Sequence, residues 1–170
     1  MRHPLTIVCG APGVGKTTYG KRLAREQSAL LLDIDRATER LVRLSLTLCG
    51  HDGDDRDSPY FKQHYREPIY QQLFDIADDN LDHTAVVMTG PFTREIAEVN
   101  WPERLSTALN APVAIHYLYS PPDILHQRLI ARGERRDNAK LSRWEEYLRY
   151  YQAQNAPRCR HLFIDTGQSK

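Results

Sequence analysis

The chain has 170 residues, 41% hydrophobic and 26% charged, which suits one compact globular domain with a true core. Lys and Arg total 23 against 22 Asp and Glu, a net charge of +1, which disfavours a generally basic nucleic-acid or membrane-surface binder. Cys9, Cys49 and Cys159 lack CxxC spacing, Met1-Arg2-His3-Pro4 begins no signal peptide, and no apolar run could cross a bilayer; reduced thiols and a cytoplasmic location are expected.

Short apolar runs alternate with amphipathic segments along the chain. Leu5–Cys9 is the first strand, and Lys16 to Arg25 the helix that follows it. Leu30–Ile34 reads as a second strand, then Leu41, Leu44 and Leu48 form a helical stripe. His51 to Ser58, with Asp52, Asp54, Asp55 and Asp57, reads as a polar, mobile loop. Ile69, Leu73, Ile76, Ala77 and Leu81 mark a helix before the third strand, Ala85–Met88. Val113–Tyr119 is the fourth strand. Ser120-Pro121-Pro122-Asp123 then starts a helix that Gly133 closes. Ser142 and Glu145 have the spacing of a capping box, opening a helix through Tyr151. Leu162–Ile164 is the last strand. The strands show little alternation, as expected when both faces are covered. Five such strands between helices predict a three-layer α/β/α sandwich with a mostly parallel sheet, and ligands at the strands' carboxyl ends.

The first strand runs into Gly10-Ala11-Pro12-Gly13-Val14-Gly15-Lys16-Thr17, a complete G-x-x-x-x-G-K-[ST] loop. Its glycines let successive backbone N–H groups curl around phosphate oxygens, and the next helix adds its positive end. Lys16 brings a point charge to the β and γ phosphates, and the Thr17 hydroxyl is a ligand for Mg²⁺. Thr18 completes the expected ATP contacts. At the end of the second strand stand Asp33 and Asp35. Residues two apart on an extended chain point the same way, so both carboxylates are expected on one side, near the loop. Asp35 is assigned to orient or deprotonate an acceptor hydroxyl, and Asp33 to support the metal. Beyond the fourth strand, Arg128, Arg132, Arg135 and Arg136 form an arginine-rich lid over about 128–142. Arg132 and Arg136 are assigned to the charge of the transferring phosphoryl, and Arg128 to the adenine or to bracing its helix.

Together the loop, the acidic pair and the lid resemble the P-loop kinase group of gluconate and shikimate kinases, zeta-toxin-like and AAA-type small kinases, and the kinase domain of polynucleotide kinase. The resemblance runs from Leu5 to about Asp165 and implies a nucleoside monophosphate kinase-like P-loop fold. Leu32-Asp33-Ile34-Asp35 with Glu39 resembles the metal-and-substrate segment of shikimate kinases. Thr89-Gly90-Pro91-Phe92-Thr93-Arg94 departs from their glycine triplet and resembles the zeta-toxin-like and AAA-type kinases instead. A carboxylate often ends that strand in the group; Thr89 stands here, leaving the metal to Thr17, Asp33 and water. The resemblance also implies an adenine site near Thr166-Gly167-Gln168.

The acceptor is expected over about 36–70, a stretch with His51, Tyr60, Phe61, His64, Tyr65 and Arg66. Arg36 and Arg40, with Arg94, are the candidates for substrate contact. The expected activity is transfer of the ATP γ-phosphate to an alcohol on a small molecule, by a monomer or homodimer. A polynucleotide 5′-hydroxyl kinase, a nucleotide-sugar kinase and a nucleotide-dependent switch ATPase are the alternatives. Trp101, Trp144, Tyr147 and Tyr151 are read as packing residues.

Overall fold

A computed structural model describes residues 2–151 and 156–167 of the chain. Five strands, β1 (Leu5–Cys9), β2 (Leu30–Asp33), β3 (Val86–Thr89), β4 (Val113–Tyr119) and β5 (Leu162–Asp165), form one sheet in the order β2-β3-β1-β4-β5. Every pairing in it is parallel, with Leu5 opposite Val86 on one side and Val113 on the other. The helices are α1 (Lys16–Glu26), α2 (Ile34–Leu48), α3 (Pro59–His64), α4 (Arg66–Asn80), α5 (Trp101–Leu109), α6 (Pro122–Arg132), α7 (Asn138–Ser142) and α8 (Trp144–Tyr150).

Strand alternation sorts the core into two layers. Leu5, Ile7 and Cys9 face α4 and α5, where Leu73, Ala77 and Trp101 meet them. Val8 faces the other way, onto Ala24 of α1, Leu125 and Leu129 of α6 and Tyr147 of α8. All five residues of β1 and all four of β3 are buried, which explains their continuous apolar character. Each fully buried Leu or Ile stabilises the fold by about 1.5–3 kcal/mol. Among the described residues no helix is long and apolar enough to cross a membrane.

The stripe Leu41, Leu44 and Leu48 lies on α2, as its spacing predicts, with these three 72%, 56% and 78% exposed while Val42 and Leu46 are buried. The helix leaves an edge strand and packs on α4 rather than across the sheet, so its inward face is offset. Ser142 and Glu145 form no capping box. Ser142 is the last residue of α7 and donates to the Ala139 carbonyl (3.1 Å), while Arg143 flanks the start of α8 without a side-chain cap. Ser120 is not the cap of α6 either. Pro121 flanks it, Pro122 opens it and Asp123 sits in its first turn. Gly133 does close α6, at φ 63°.

Candidate active site

The Gly10–Thr17 loop joins β1 to α1 at the carboxyl edge of the sheet. Gly10, Gly13 and Gly15 take φ of 136°, 87° and 98°, the left-handed region that a side chain resists. A Cβ on Gly10 would stand 2.4 Å from the Leu118 carbonyl oxygen, so the loop hugs β4 as only glycine allows. Tyr147 braces it from α8, donating to the Pro12 carbonyl (2.6 Å).

Lys16, the first residue of α1, folds back over the loop. Its ammonium donates to the Gly10 and Ala11 carbonyls (2.8 and 2.9 Å). Burial lowers its pKa to about 8, against the attraction of Asp35 and Asp33. One turn of chemistry away, the Thr17 hydroxyl donates to Asp33 Oδ2 (2.7 Å), and Thr89 at the end of β3 donates to the same oxygen (2.7 Å). The other oxygen, Oδ1, accepts the Arg36 backbone N–H (3.1 Å) and so caps α2. Asp33 is only 5% exposed; burial alone would raise its pKa, but the Thr17, Thr89 and Arg36 donors and Lys16 hold the carboxyl below its ordinary value.

That arrangement fits Mg²⁺. Thr17 commits its proton to Asp33 and leaves its oxygen lone pairs for a hard cation, with a charged carboxylate just behind. Among the described residues no group of three His, Cys, Asp or Glu side chains could hold a metal alone. An ion here would therefore share its ligands with nucleotide phosphates, as Mg²⁺ does.

Asp35 does not extend the strand. The chain turns helical at Ile34, so Asp35 lies in the first turn of α2 and the strand period that predicted a shared side does not apply. Both carboxylates nevertheless line the same cavity of about 580 Å³. Its walls include Lys16, Thr17, Thr18, Asp33, Asp35 and Arg36, with Arg128, Arg132 and Arg136 from the lid. Pro12, Gly13 and Gly15 also face it, while Gly10, Ala11 and Val14 are buried in the loop. Arg40 and Arg94 do not line it.

The lid arginines are held by carboxylates. Arg132 grips the buried Asp137 through two nitrogens (Nε to Oδ2, 2.8 Å; Nη2 to Oδ1, 2.6 Å). Arg136 meets Glu134 (2.5 Å), Asp35 (3.0 Å) and Glu39 (3.6 Å), which outweigh its burial and raise its pKa. Arg128 braces α6 against the end of β5. It donates to the Thr166 carbonyl (2.5 Å), and the Thr166 hydroxyl lies 2.8 Å from the Val14 carbonyl oxygen. Gln168, expected beside the adenine, lies outside the described residues.

The acidic loop is tied down rather than free. Asp54 pairs with Arg43, and Asp55 accepts the backbone N–H groups of Asp57 and Ser58. Asp57 accepts from Lys140 of α7 (2.7 Å) and from the Tyr151 hydroxyl (3.0 Å), linking this loop to the lid. Phe61 and Arg66 line the cavity, whereas outside it His51 stacks on Tyr60, whose ring is tilted against His64. Sequence reasoning missed Arg56, Lys62, Lys140, Tyr150 and Tyr151 among the cavity walls. Lys62 had a signal, four residues before Arg66. Lys140 and Asp57, 83 positions apart, had none.

Comparison with known proteins gives the family and the fold. Residues 5–154 match the AAA_33 family, described as an AAA domain. A shikimate kinase from Corynebacterium efficiens is 35% identical over 63 residues. That match spans 37% of this chain and 36% of the relative, so little more than a third of the curated relative's length is covered. Among solved structures, a sugar kinase from Janibacter sp. HTCC2649 superposes with a TM-score of 0.64 at 18% identity, over 99% of this chain and 88% of that one. A gluconokinase from Sinorhizobium meliloti 1021 does so with a TM-score of 0.56 at 17% identity, over 99% and 86%. At such identities the likeness establishes the fold, a P-loop kinase fold. With most of its length matched and a complete phosphate loop in place, the chain belongs to the AAA_33 family of AAA domains.

Proposed function

We propose that the protein is an ATP-dependent kinase that transfers the γ-phosphoryl group to a hydroxyl of a small-molecule acceptor. One observation carries the reading: a phosphate loop, a charged Asp33 behind Thr17, a second carboxylate at Asp35 and two lid arginines all face one cavity. A phosphate loop alone would serve a switch protein equally well; the second carboxylate and the lid are what transfer to an alcohol requires. The sugar kinase, gluconokinase and shikimate kinase likenesses favour a polyhydroxylated acceptor.

In this mechanism the loop N–H groups and Lys16 hold the β and γ phosphates. Thr17, with Asp33 behind it, would hold Mg²⁺, which would supply neutralisation of charge on the phosphate oxygens. Asp35 accepts the proton of the acceptor hydroxyl as its oxygen attacks the γ phosphorus. The bond to the bridging oxygen breaks and ADP leaves. Arg132 and Arg136 exchange carboxylate partners for phosphate oxygens and exclude water from the transfer. Arg128 holds the nucleotide end of the cavity.

The test is ADP release from Mg-ATP with a panel of sugars, sugar acids, amino alcohols, nucleosides and 5′-hydroxyl oligonucleotides, with Lys16→Ala as blank. Acceleration by one class with a phosphorylated product establishes the kinase. Asp35→Asn is expected to lower kcat by about 10²–10⁴-fold with nucleotide affinity retained. Near-normal turnover in that variant would show that Asp35 is not the base.

A further inference from the structure

Beside the main cavity lies a second hollow of about 390 Å³, walled by Pro59, Lys62, Gln63, Arg66, Glu67 and Arg94. Lys62 and Arg66 line both spaces, so the hollow adjoins the main cavity across these two side chains. Three of its six wall residues are cations and one is an acid. Arg66 is already neutralised: its Nη2 lies 2.9 and 2.7 Å from the two Glu95 oxygens. Lys62 and Arg94 are not. Neither makes an ion pair with a carboxylate among the described residues. Of the nearby acids, Asp57 is engaged by Lys140 (2.7 Å) and Tyr151 (3.0 Å), Asp55 accepts from the Asp57 and Ser58 backbone, and Glu67 accepts from Gln71 (3.1 Å).

The Lys62 ammonium sits 3.7 Å from the centre of the Tyr150 ring, so it is held in place by a neutral aromatic face. Burial and the neighbouring Lys140 and Arg94 charges depress its pKa against the pull of Asp57 and Asp55. A half-buried cation fixed at a cavity wall without a counter-ion is unfavourable until an anion arrives.

We infer that the acceptor is an anionic alcohol, whose carboxylate or phosphate binds Lys62 and Arg94 in this second hollow while its hydroxyl faces Asp35. The inference rests on the kinase reading above and deepens it. It separates the acceptor's two ends: the reacting hydroxyl lies in the main cavity, and the anion lies across the wall that Lys62 and Arg66 share. It also returns Arg94, which does not line the main cavity, to substrate contact.

The experiment compares matched acceptors: glucose, gluconate and glucose 6-phosphate, and glycerol, glycerate and glycerol 3-phosphate. ADP release is followed with the full chain and with Lys62→Met, Arg94→Met and Lys62→Arg. Acceleration is expected from anionic members over their neutral partners, the acid or the phosphate series identifying the group. Lys62→Met and Arg94→Met should each raise the KM of that acceptor about tenfold, kcat moving less than KM, and Lys62→Arg should restore it. Equal use of neutral partners, or a KM unmoved by both Met variants, overturns the inference. If no compound accelerates ADP release, calorimetric titration with inorganic phosphate decides, using Lys16→Ala chains with and without the two Met changes. Phosphate binding lost with those changes keeps the anion site while the kinase reading falls; binding unaffected by them, or no binding at all, overturns the site.

Discussion

The two ends of the cavity, the proposed donor and acceptor halves, are built by different means. The donor half rests on backbone geometry and short neutral or charge-assisted hydrogen bonds: the Gly10–Thr17 loop is contiguous, and Asp33 ties it to the ends of two adjacent strands at 2.7 Å. The acceptor half rests on ion pairs, two between distant segments, Lys140 to Asp57 and Arg136 to Asp35, and one within the lid, Arg132 to Asp137. Backbone geometry has one low-energy arrangement. Ion pairs can exchange partners when a new anion enters, and they weaken as salt rises. The donor half is thus a fixed seat and the acceptor half a closure that phosphate groups can rearrange.

The comparison breaks most visibly at Gly10. Gly10→Ala would drive a Cβ to 2.4 Å from the Leu118 carbonyl oxygen at φ 136°. The expected loss is about 4 kcal/mol or more of stability, together with nucleotide binding, read by denaturant unfolding and by titration with Mg-ADP. Gly15→Ala is the control, because φ there is 98° but nothing lies within 4 Å of the added atom. It should cost only the backbone strain, about 1–2 kcal/mol. Equal effects at the two positions would mean that conformational strain, not close approach to β4, fixes the seat.

Next in size is the closure. Lys140 is 6% exposed and lies between Asp57 (2.7 Å) and Asp137 (3.9 Å). Lys140→Met leaves Asp57 short of a cation, while Asp137 keeps Arg132. About 2–3 kcal/mol should be lost, less than for a fully buried pair because Asp57 is partly exposed. Asp57→Asn in the same chain should recover part of the loss, the signature of coupling in a double-mutant cycle. A loss below about 0.5 kcal/mol would place the acceptor half in the same class as ordinary surface pairs.

The same division explains what the sequence made legible. The phosphate loop could be read because its chemistry is contiguous: eight residues carry strand end, turn and helix start together. The parallel sheet follows from alternation of β and α segments, and each strand was placed to within a residue, but the order β2-β3-β1-β4-β5 is not encoded in that alternation. Asp33 and Asp35 were recognisable by type, but their geometry was not, since the extended-chain argument fails where Ile34 begins a helix. The pattern of Leu41, Leu44 and Leu48 gave the helix and hid its buried side, because periodicity reports a face without saying what it meets. The Asp57–Lys140 contact joins residues 83 apart, which no local pattern encodes. Tyr151, read as a packing residue, is buried but also turns its hydroxyl to Asp57.

The smallest expected effect concerns the one mobile charge of the donor half. Burial lowers the Lys16 pKa to about 8, from 10.5 for a free side chain. The sign follows from where the proton is held. The unfolded chain binds it more tightly than the folded one, so the charged lysine opposes folding below pH 8, and that penalty fades as pH rises towards 10.5. Nucleotide phosphates act in the opposite direction, favouring the charged form and raising the pKa again. Binding of Mg-ADP should therefore take up about half a proton at pH 8, more at pH 9 and almost none at pH 6.5. Calorimetry in buffers of different ionisation heat reads that number as the slope of binding heat. Lys16→Arg keeps the charge but cannot release it, so the slope should vanish. A flat slope in the unaltered chain would mean that the Gly10 and Ala11 carbonyls already hold Lys16 charged. The seat would then be fixed in charge as well as in shape, and the contrast with the exchangeable closure would be sharper still.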